Sequence, residues 1–217
     1  MAELNGSSEL RFFGMVTSSV SHELKNVLAI VNENAGMIED LLAFAAQGRT
    51  IDPARLLLAA QAIKAQIRRG DAIIKNLNRL AHSVDETAAA IVVDQAIELA
   101  LGLTARMAAM RGVAVTMVPP ADSVMMRTAP FAFQQLMWRC LDDATACAAS
   151  LGGAIDITVE TVAQGGACIR LKGHAVKGSD PLTGQKDQAL LDSVGAKAAV
   201  DPSTGEMIIT LNPIKDS

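Results

Sequence analysis

One long run of apolar residues at helical spacing constrains the fold of this chain more than any other feature. From about Ser8 to Ala46, apolar residues recur in steps of three and four, with a single gap at Asn34 and Ala35. This heptad-like pattern predicts one helix far longer than those of most globular domains, with a continuous apolar seam. The predicted seam residues are Phe13, Val16, Val20, Leu24, Val27, Val31, Ile38, Leu41 and Ala45.

A second periodic stretch follows a clear stop. We expect Gly48 to cap the first helix, and Asp52-Pro53 reads as an N-cap followed by proline at the first helical position. Two long helices joined by a short loop predict an antiparallel hairpin. A lone hairpin leaves one flank of each seam in water, so we expect a homodimer that forms a four-helix bundle. The second predicted seam consists of Leu57, Ala60, Ile63, Ile67, Ile74, Leu77, Ala81 and Val84.

Beyond Val84 the pattern alternates between helical and strand periods. It predicts helices beside a mainly antiparallel sheet, hence a two-layer α/β sandwich and an α+β fold overall. The predicted domains are residues 1–85, the hairpin, and residues 86–217, the sandwich. The predicted elements are a helix at Asp94–Met110, a strand at Val113–Val118, a helix at Thr128–Ala149, strands at Ala154–Val162 and Ala167–Leu171, a loop at Lys172–Gln185, a helix at Gln188–Val194, and strands at Ala196–Val200 and Glu206–Leu211.

Composition argues against several classes of protein. A net charge of −4, the absence of Tyr and the presence of a single Trp argue against nucleic acid as the main partner. The most apolar region, Ala88 to Met110, is interrupted by Asp94, Glu98 and Arg106, so no membrane-spanning helix is expected. The polar, acidic N-terminus lacks the pattern of a signal peptide, and the three cysteines lack metal-site spacing. We therefore expect a cytoplasmic protein.

The segment Ser21-His22-Glu23-Leu24-Lys25-Asn26 carries the most chemistry. The seam passes through Leu24, so His22 is expected to point away from it. Lys25 and Asn26 follow His22 by three and four residues and should share its outer face. Glu23 is the immediate neighbour. An exposed imidazole beside a carboxylate can act as a nucleophile if Glu23 accepts the Nδ1 proton and leaves Nε2 free.

This hexad resembles the phosphoacceptor box of two-component sensor histidine kinases, in which His-Glu precedes an apolar residue, a base, Asn or Thr, and commonly Pro. In that family a long hairpin also precedes an ATP-binding α/β domain, so the resemblance covers nearly the whole chain. It implies that His22 is phosphorylated and that Glu23 is the adjacent acid. It also implies that Asn26 matches the residue that positions water against a receiver's phospho-aspartate. Val27 replaces the usual proline, so the helix should continue without a kink.

The second domain departs from the family's nucleotide-binding pattern. The two metal-binding asparagines of the family fall on Arg139 and Asp143, and we interpret Asp142-Asp143 as a solvated helix face. No Gly-x-Gly occurs in the chain, and Lys172-Gly-His-Ala-Val stands where the adenine-binding Asp is expected. Phosphate cradling needs closely approaching glycine backbone, so we expect no ATP binding and no cofactor held by this chain.

A chain with the phosphohistidine box but without the ATP boxes resembles the dimeric, kinase-derived histidine phosphotransferases of phosphorelays. Such a protein passes phosphoryl groups between receiver-domain aspartates, here through His22, while the receiver supplies Mg²⁺. The expected partners are response-regulator receiver domains and a second copy of this chain, with no nucleic acid and no membrane. Three alternatives remain open: a response-regulator phosphatase or pseudokinase acting through Asn26 and Glu23, a divergent autokinase, and a non-catalytic scaffold that binds a receiver.

Overall fold

The structure is a computed structural model that describes residues 2–120, 122–162, 166–173, 182 and 184–212, with the side chains of all of these except residues 2–7, 185 and 186. The chain divides by its internal contacts into two compact units. One unit is Met15–Asn78, which we call the hairpin unit. The other combines Met1–Gly14 with Arg79–Ser217, and we call it the α/β unit. The division falls inside the two long helices.

Two long helices, α1 (Ala2–Ala46) and α2 (Pro53–His82), provide the hairpin unit. The predicted caps are confirmed at both sides of the turn. Gly48 has a φ of 77°, and the N–H groups of Gly48 and Arg49 donate to the carbonyl oxygens of Ala45 and Phe44. This is the Schellman arrangement that ends a helix. At the start of α2, the N–H of Ala54 donates to Oδ1 of Asp52 at 2.9 Å.

Packing inside the hairpin uses a narrower stripe of α1 than the predicted seam. Its buried members are Val16, Val20, Glu23, Val27 and Leu41, which we call the inner stripe. The prediction is therefore confirmed for the four apolar members. Of the five other predicted seam residues, Ala45 is exposed, and the inner stripe instead includes the carboxylate of Glu23. The other four are only half-buried: Phe13, Leu24, Val31 and Ile38.

The buried face of α2 lies one residue earlier than predicted. Ala59 and Gly70 are buried and Ile73 is half-buried, whereas Ile67 and Ile74 of the predicted seam are about half exposed. The prediction was ambiguous because adjacent apolar residues, such as Ile73-Ile74, allow the same helical period to be drawn in two neighbouring registers. In the observed register Gly70 faces α1, where a Cβ on it would lie at an ordinary contact distance of 3.5 Å from Cγ1 of Val27.

The α/β unit contains three further helices and seven strands among its described residues. They are β1 (Ala89–Val92), α3 (Val93–Met110), β2 (Val115–Met117), β3 (Met125–Thr128), α4 (Pro130–Leu151), β4 (Ile155–Val162), β5 (Gly166–Lys172), α5 (Gln185–Val194), β6 (Ala196–Val200) and β7 (Met207–Leu211). Strands β2-β4-β5-β7-β6 form one sheet, in which only the β2–β4 pair is parallel. The α+β prediction is thus confirmed, with a mixed sheet.

Two short strands were not predicted. Strands β1 and β3 pair antiparallel in a separate sheet, with Ala89 opposite Thr128. Their sequences were too short and too irregular in period to be recognised. The loop at 172–185 falls largely outside the described residues, which include Lys172, Gly173, Leu182, Gly184 and Gln185 within it.

A single apolar core holds the α/β unit together. Its fully buried members come mainly from α3, α4 and the inner face of the five-stranded sheet, among them Ile97, Leu136, Ile157 and Ile169. At the N-terminus of α1, the ring of Phe12 packs edge-on against Phe131 and Trp138, with centroids 5.4 and 5.8 Å apart. Phe12, rather than the predicted Phe13, is the buried residue there.

The close contact at Gly70 yields a prediction about stability. Replacing Gly70 with Leu should lower the free energy of unfolding by about 1–3 kcal/mol, because the larger side chain overpacks against Val27. As the matched control, Gly70→Ala adds a Cβ at ordinary contact distance and should be neutral or stabilising by about 0.5–1 kcal/mol. Urea denaturation followed by circular dichroism measures both variants. Equal stability of the two would show that α2 faces α1 in a different register.

Candidate functional site

The predicted site residues divide between two faces of α1. His22, Lys25 and Asn26 are all exposed and share the outer face, as the spacing predicted. Glu23 does not join them: only 7% of its surface is accessible, and it belongs to the inner stripe. Consecutive helical residues point about 100° apart, so burying Glu23 turns His22 outward.

Glu23 contacts the second helix of the hairpin. Its Oε2 lies 3.5 Å from Nη2 of Arg69, whose side chain remains 51% exposed while that of Glu23 is 9% exposed. A nearly buried carboxylate is costly without a partner, and Arg69 provides one. Sequence reasoning did not single out Arg69. Arg69 could be identified only from the burial of Glu23, because the buried side of α1 then faces α2 at Arg69, the residue before Gly70.

The imidazole of His22 makes no hydrogen bond or ion pair with any residue that the structure describes. Its imidazole is therefore free to present a nitrogen to an incoming reactant. The described contact of the Glu23 carboxylate is with Arg69. The role of Glu23 as acceptor of the His22 Nδ1 proton stays a prediction. The exposed amide of Asn26 lies one helical turn beyond the imidazole, where it can donate to, or accept from, a reactant held at His22.

Helix α4 carries three charged residues considered in the sequence analysis, Arg139, Asp142 and Asp143. Arg139 pairs with Asp187 of α5, with Nε 3.5 Å from Oδ1. Asp142 accepts from Arg111 at 2.6 Å, so our interpretation of it as a merely solvated residue is wrong. The reason is tertiary: Arg111 caps the end of α3 and reaches across to α4.

Burial, reinforced by the nearby charge of Asp143, raises the pKa of the Cys140 thiol, which is therefore unreactive at neutral pH.

The glycine of the segment Lys172-Gly-His-Ala-Val has a packing role. Gly173 follows β5 with a φ of 89°, and a Cβ there would collide with the carbonyl oxygen of Ala154. Only glycine fits this close approach between two backbone segments. Gly173 is thus explained by the fold. The next residues of this segment, 174–176, lie outside those that the structure describes.

The described residues contain no cluster of three or more His, Cys, Asp and Glu side chains that could hold a metal ion. Among the same residues, no helix combines the length and the apolar character needed to cross a membrane.

Comparisons with known proteins place the chain near one group of solved structures. No family model matches it, and neither does any curated protein. The catalytic domain of the histidine kinase ThkA is similar at a TM-score of 0.46 and 13% identity, covering 58% of this chain and 95% of that one. The Acinetobacter baumannii histidine kinase AdeS is similar at 0.46 and 10% identity, covering 85% and 96%. The cytoplasmic segment of the histidine kinase QseC is similar at 0.44 and 16%, covering 69% and 95%. At these TM-scores the likenesses assign no activity to this chain.

The exposure of His22 gives a prediction that separates its chemistry from the fold. Replacing His22 with Ala should change the free energy of unfolding by no more than about 0.5 kcal/mol, because the side chain is exposed and makes no described contact. Urea denaturation and light scattering measure stability and association together. A loss above about 1 kcal/mol would mean that the imidazole packs against the protein.

Proposed function

We propose that this protein is a histidine phosphotransferase of a phosphorelay, which passes phosphoryl groups between receiver-domain aspartates through His22 and uses no ATP. One observation carries the proposal. Within a hairpin whose first helix contains a phosphoacceptor-like box, His22 is exposed without a described partner, and Asn26 and Lys25 lie on the same face. This arrangement leaves Nε2 accessible to a macromolecular donor.

The transfer uses His22 as the nucleophile. The Nε2 lone pair attacks the phosphorus of the receiver's aspartyl phosphate, a P–N bond forms, and the P–O bond to the aspartate breaks. The aspartate leaves with that electron pair as a carboxylate. The imidazole takes the positive charge and releases its Nδ1 proton to solvent. The reverse sequence delivers the phosphoryl group to a second receiver. The receiver supplies Mg²⁺, and His22 supplies alignment, so positioning provides most of the catalysis.

Charged contacts on α4 support a nucleotide-free role. The position of one family asparagine is occupied by Arg139, whose guanidinium pairs with Asp187 on α5. A guanidinium cannot ligate Mg²⁺, because it has donors and no acceptor. Gly173 is required for backbone packing and the sequence contains no Gly-x-Gly, so the phosphates of ATP lack a glycine cradle, and of the two asparagine positions only Asp143 keeps an oxygen that could ligate a metal.

A second apolar stripe on the hairpin supports the homodimer. On α1, Leu28 and Leu42 are exposed at 66% and 53% and lie two heptads apart, with Ala35 midway. On α2, Ile67 and Ile74 are exposed at 52% and 47% and lie one heptad apart. We call these the outer stripe. Heptad-spaced apolar residues on both helices are typical of a bundle seam that a second hairpin covers.

The outer stripe leaves the proposed nucleophile accessible in the dimer. His22 lies about 120° around α1 from Leu28. A second copy packed on the outer stripe therefore does not cover the imidazole. Each protomer of the proposed dimer offers its own His22 to a receiver.

A charge on the outer stripe should abolish the dimer. Replacing Ile67 with Glu should give a folded monomer, because the bundle would have to bury an unpaired carboxylate. The matched control is Leu58→Glu: Leu58 is 65% exposed and lies nine residues earlier, on the opposite face of α2. Analytical ultracentrifugation at micromolar concentration measures both. A wild-type monomer, or an Ile67→Glu dimer as stable as the control, would contradict the proposal.

Label transfer tests the proposed activity directly. Purified receiver domains are phosphorylated with radiolabelled acetyl phosphate, freed of donor and mixed with this protein in Mg²⁺ without ATP. We expect acid-labile, base-stable label on the wild type and none on His22→Ala, because a phosphoramidate is the product. The control His82→Ala removes another exposed histidine at the end of α2 and should label normally.

Other outcomes identify the alternatives. Loss of label from the receiver without gain by this protein, at a rate sensitive to Asn26→Ala, indicates a phosphatase. Label gained from γ-labelled ATP indicates an autokinase. A stable complex with neither transfer nor hydrolysis indicates a scaffold. Each of these results would overturn the phosphotransferase proposal.

A further inference from the structure

A buried charge lies one residue from the proposed nucleophile. The carboxylate of Glu23 is nearly enclosed between the two helices of the hairpin unit, and its described partner is Arg69 at 3.5 Å. Glu23 and His22 occupy consecutive positions with Cα atoms about 3.8 Å apart, so the carboxylate lies on the flank of α1 next to the one that carries any group bonded to the imidazole. Nothing in the transfer step derived above uses Arg69.

The sign of the charge near His22 matters for the proposed reaction. A phosphoryl group on an acceptor side chain carries roughly −1.5 to −2 charges near neutral pH. An unpaired carboxylate beside the nucleophile repels such a group, and this repulsion is strongest for a buried charge that water does not screen. A paired carboxylate repels it far less, because the guanidinium adds a compensating positive charge at the same place.

We propose that Arg69 is a positioning residue for phosphoryl transfer at His22. Its guanidinium holds Glu23 as a paired anion on the inner flank of α1 and so cancels the repulsion between that carboxylate and the incoming phosphoryl group. This inference rests on the phosphotransferase function proposed above. Arg69 acts through Glu23, and its effect on the reaction must disappear when Glu23 carries no charge.

The neighbouring Arg68 provides a matched control. It is the same residue type on the same helix, is exposed, and points about 100° away from Arg69 around α2. Within the described part of the chain it forms no ion pair. Arg68→Ala removes one positive charge from the hairpin unit and leaves Glu23 paired.

The experiment is a double-mutant cycle on the full-length protein. Single-turnover label transfer from a phosphorylated receiver is measured over a range of receiver concentrations for the wild type, Arg69→Ala, Arg69→Lys, Arg68→Ala, Glu23→Gln and Glu23→Gln/Arg69→Ala. The saturating rate and the half-saturating receiver concentration are obtained separately. Urea unfolding of every variant provides a readout that needs no receiver.

We expect Arg69→Ala to lower the saturating rate about tenfold, with Arg69→Lys recovering most of it. In the Glu23→Gln background, Arg69→Ala should change the rate less than about twofold. The urea midpoint should fall for Arg69→Ala and not for Arg68→Ala, because only the former leaves a buried carboxylate unpaired.

Two results would overturn the inference. Equal effects of Arg69→Ala in the two Glu23 backgrounds would mean that Arg69 does not act through Glu23, and a rate equal to that of Arg68→Ala would mean that it has no specific part. Neither result contradicts the proposed phosphotransferase function, because the wild type still takes up label. If the wild type takes up none, the proposed function fails and this inference fails with it, whatever the urea midpoints show.

Discussion

Close packing of the two hairpin helices along one narrow stripe determines which side chains remain available for function. The stripe passes through Val20, Val27 and Gly70, where a Cβ would lie at an ordinary contact distance of 3.5 Å from Cγ1 of Val27. Helical geometry then sets the direction of every other side chain in the unit. His22 faces water, and the apolar outer stripe is left for a second copy in the dimer that we propose.

The same packing turns Glu23 away from the face of His22. A phosphoacceptor-like box read as a linear motif suggests that an acid assists the neighbouring histidine, but consecutive positions on a helix do not face each other. The structure brings the carboxylate to Arg69 on the other helix. The chemistry proposed for His22 therefore depends on an accessible imidazole and on the charge balance of an ion pair beside it.

In the α/β unit, helix α4 contributes both to the apolar core and to charged contacts between helices. Its buried face fills the core through residues such as Leu136, while its charged face ties neighbouring helices together through Arg139–Asp187 and Arg111–Asp142. These are partly exposed pairs, and such pairs contribute little stability singly. The guanidinium of Arg139 has donors and no acceptor, so it cannot ligate a metal ion.

The sequence by itself determined the features that depend on near neighbours along the chain. The cap at Gly48, the start of α2 after Asp52, most of the helices and longer strands, and the exposure of His22 follow from local periodicity and capping chemistry. Tertiary structure alone decided which of two adjacent apolar registers on α2 faces inward, that Glu23 meets Arg69, and that β1 pairs with β3. Each of these joins segments far apart in sequence, and the periodicity of either segment fits more than one partner. Only the simultaneous packing of both selects the arrangement that is observed.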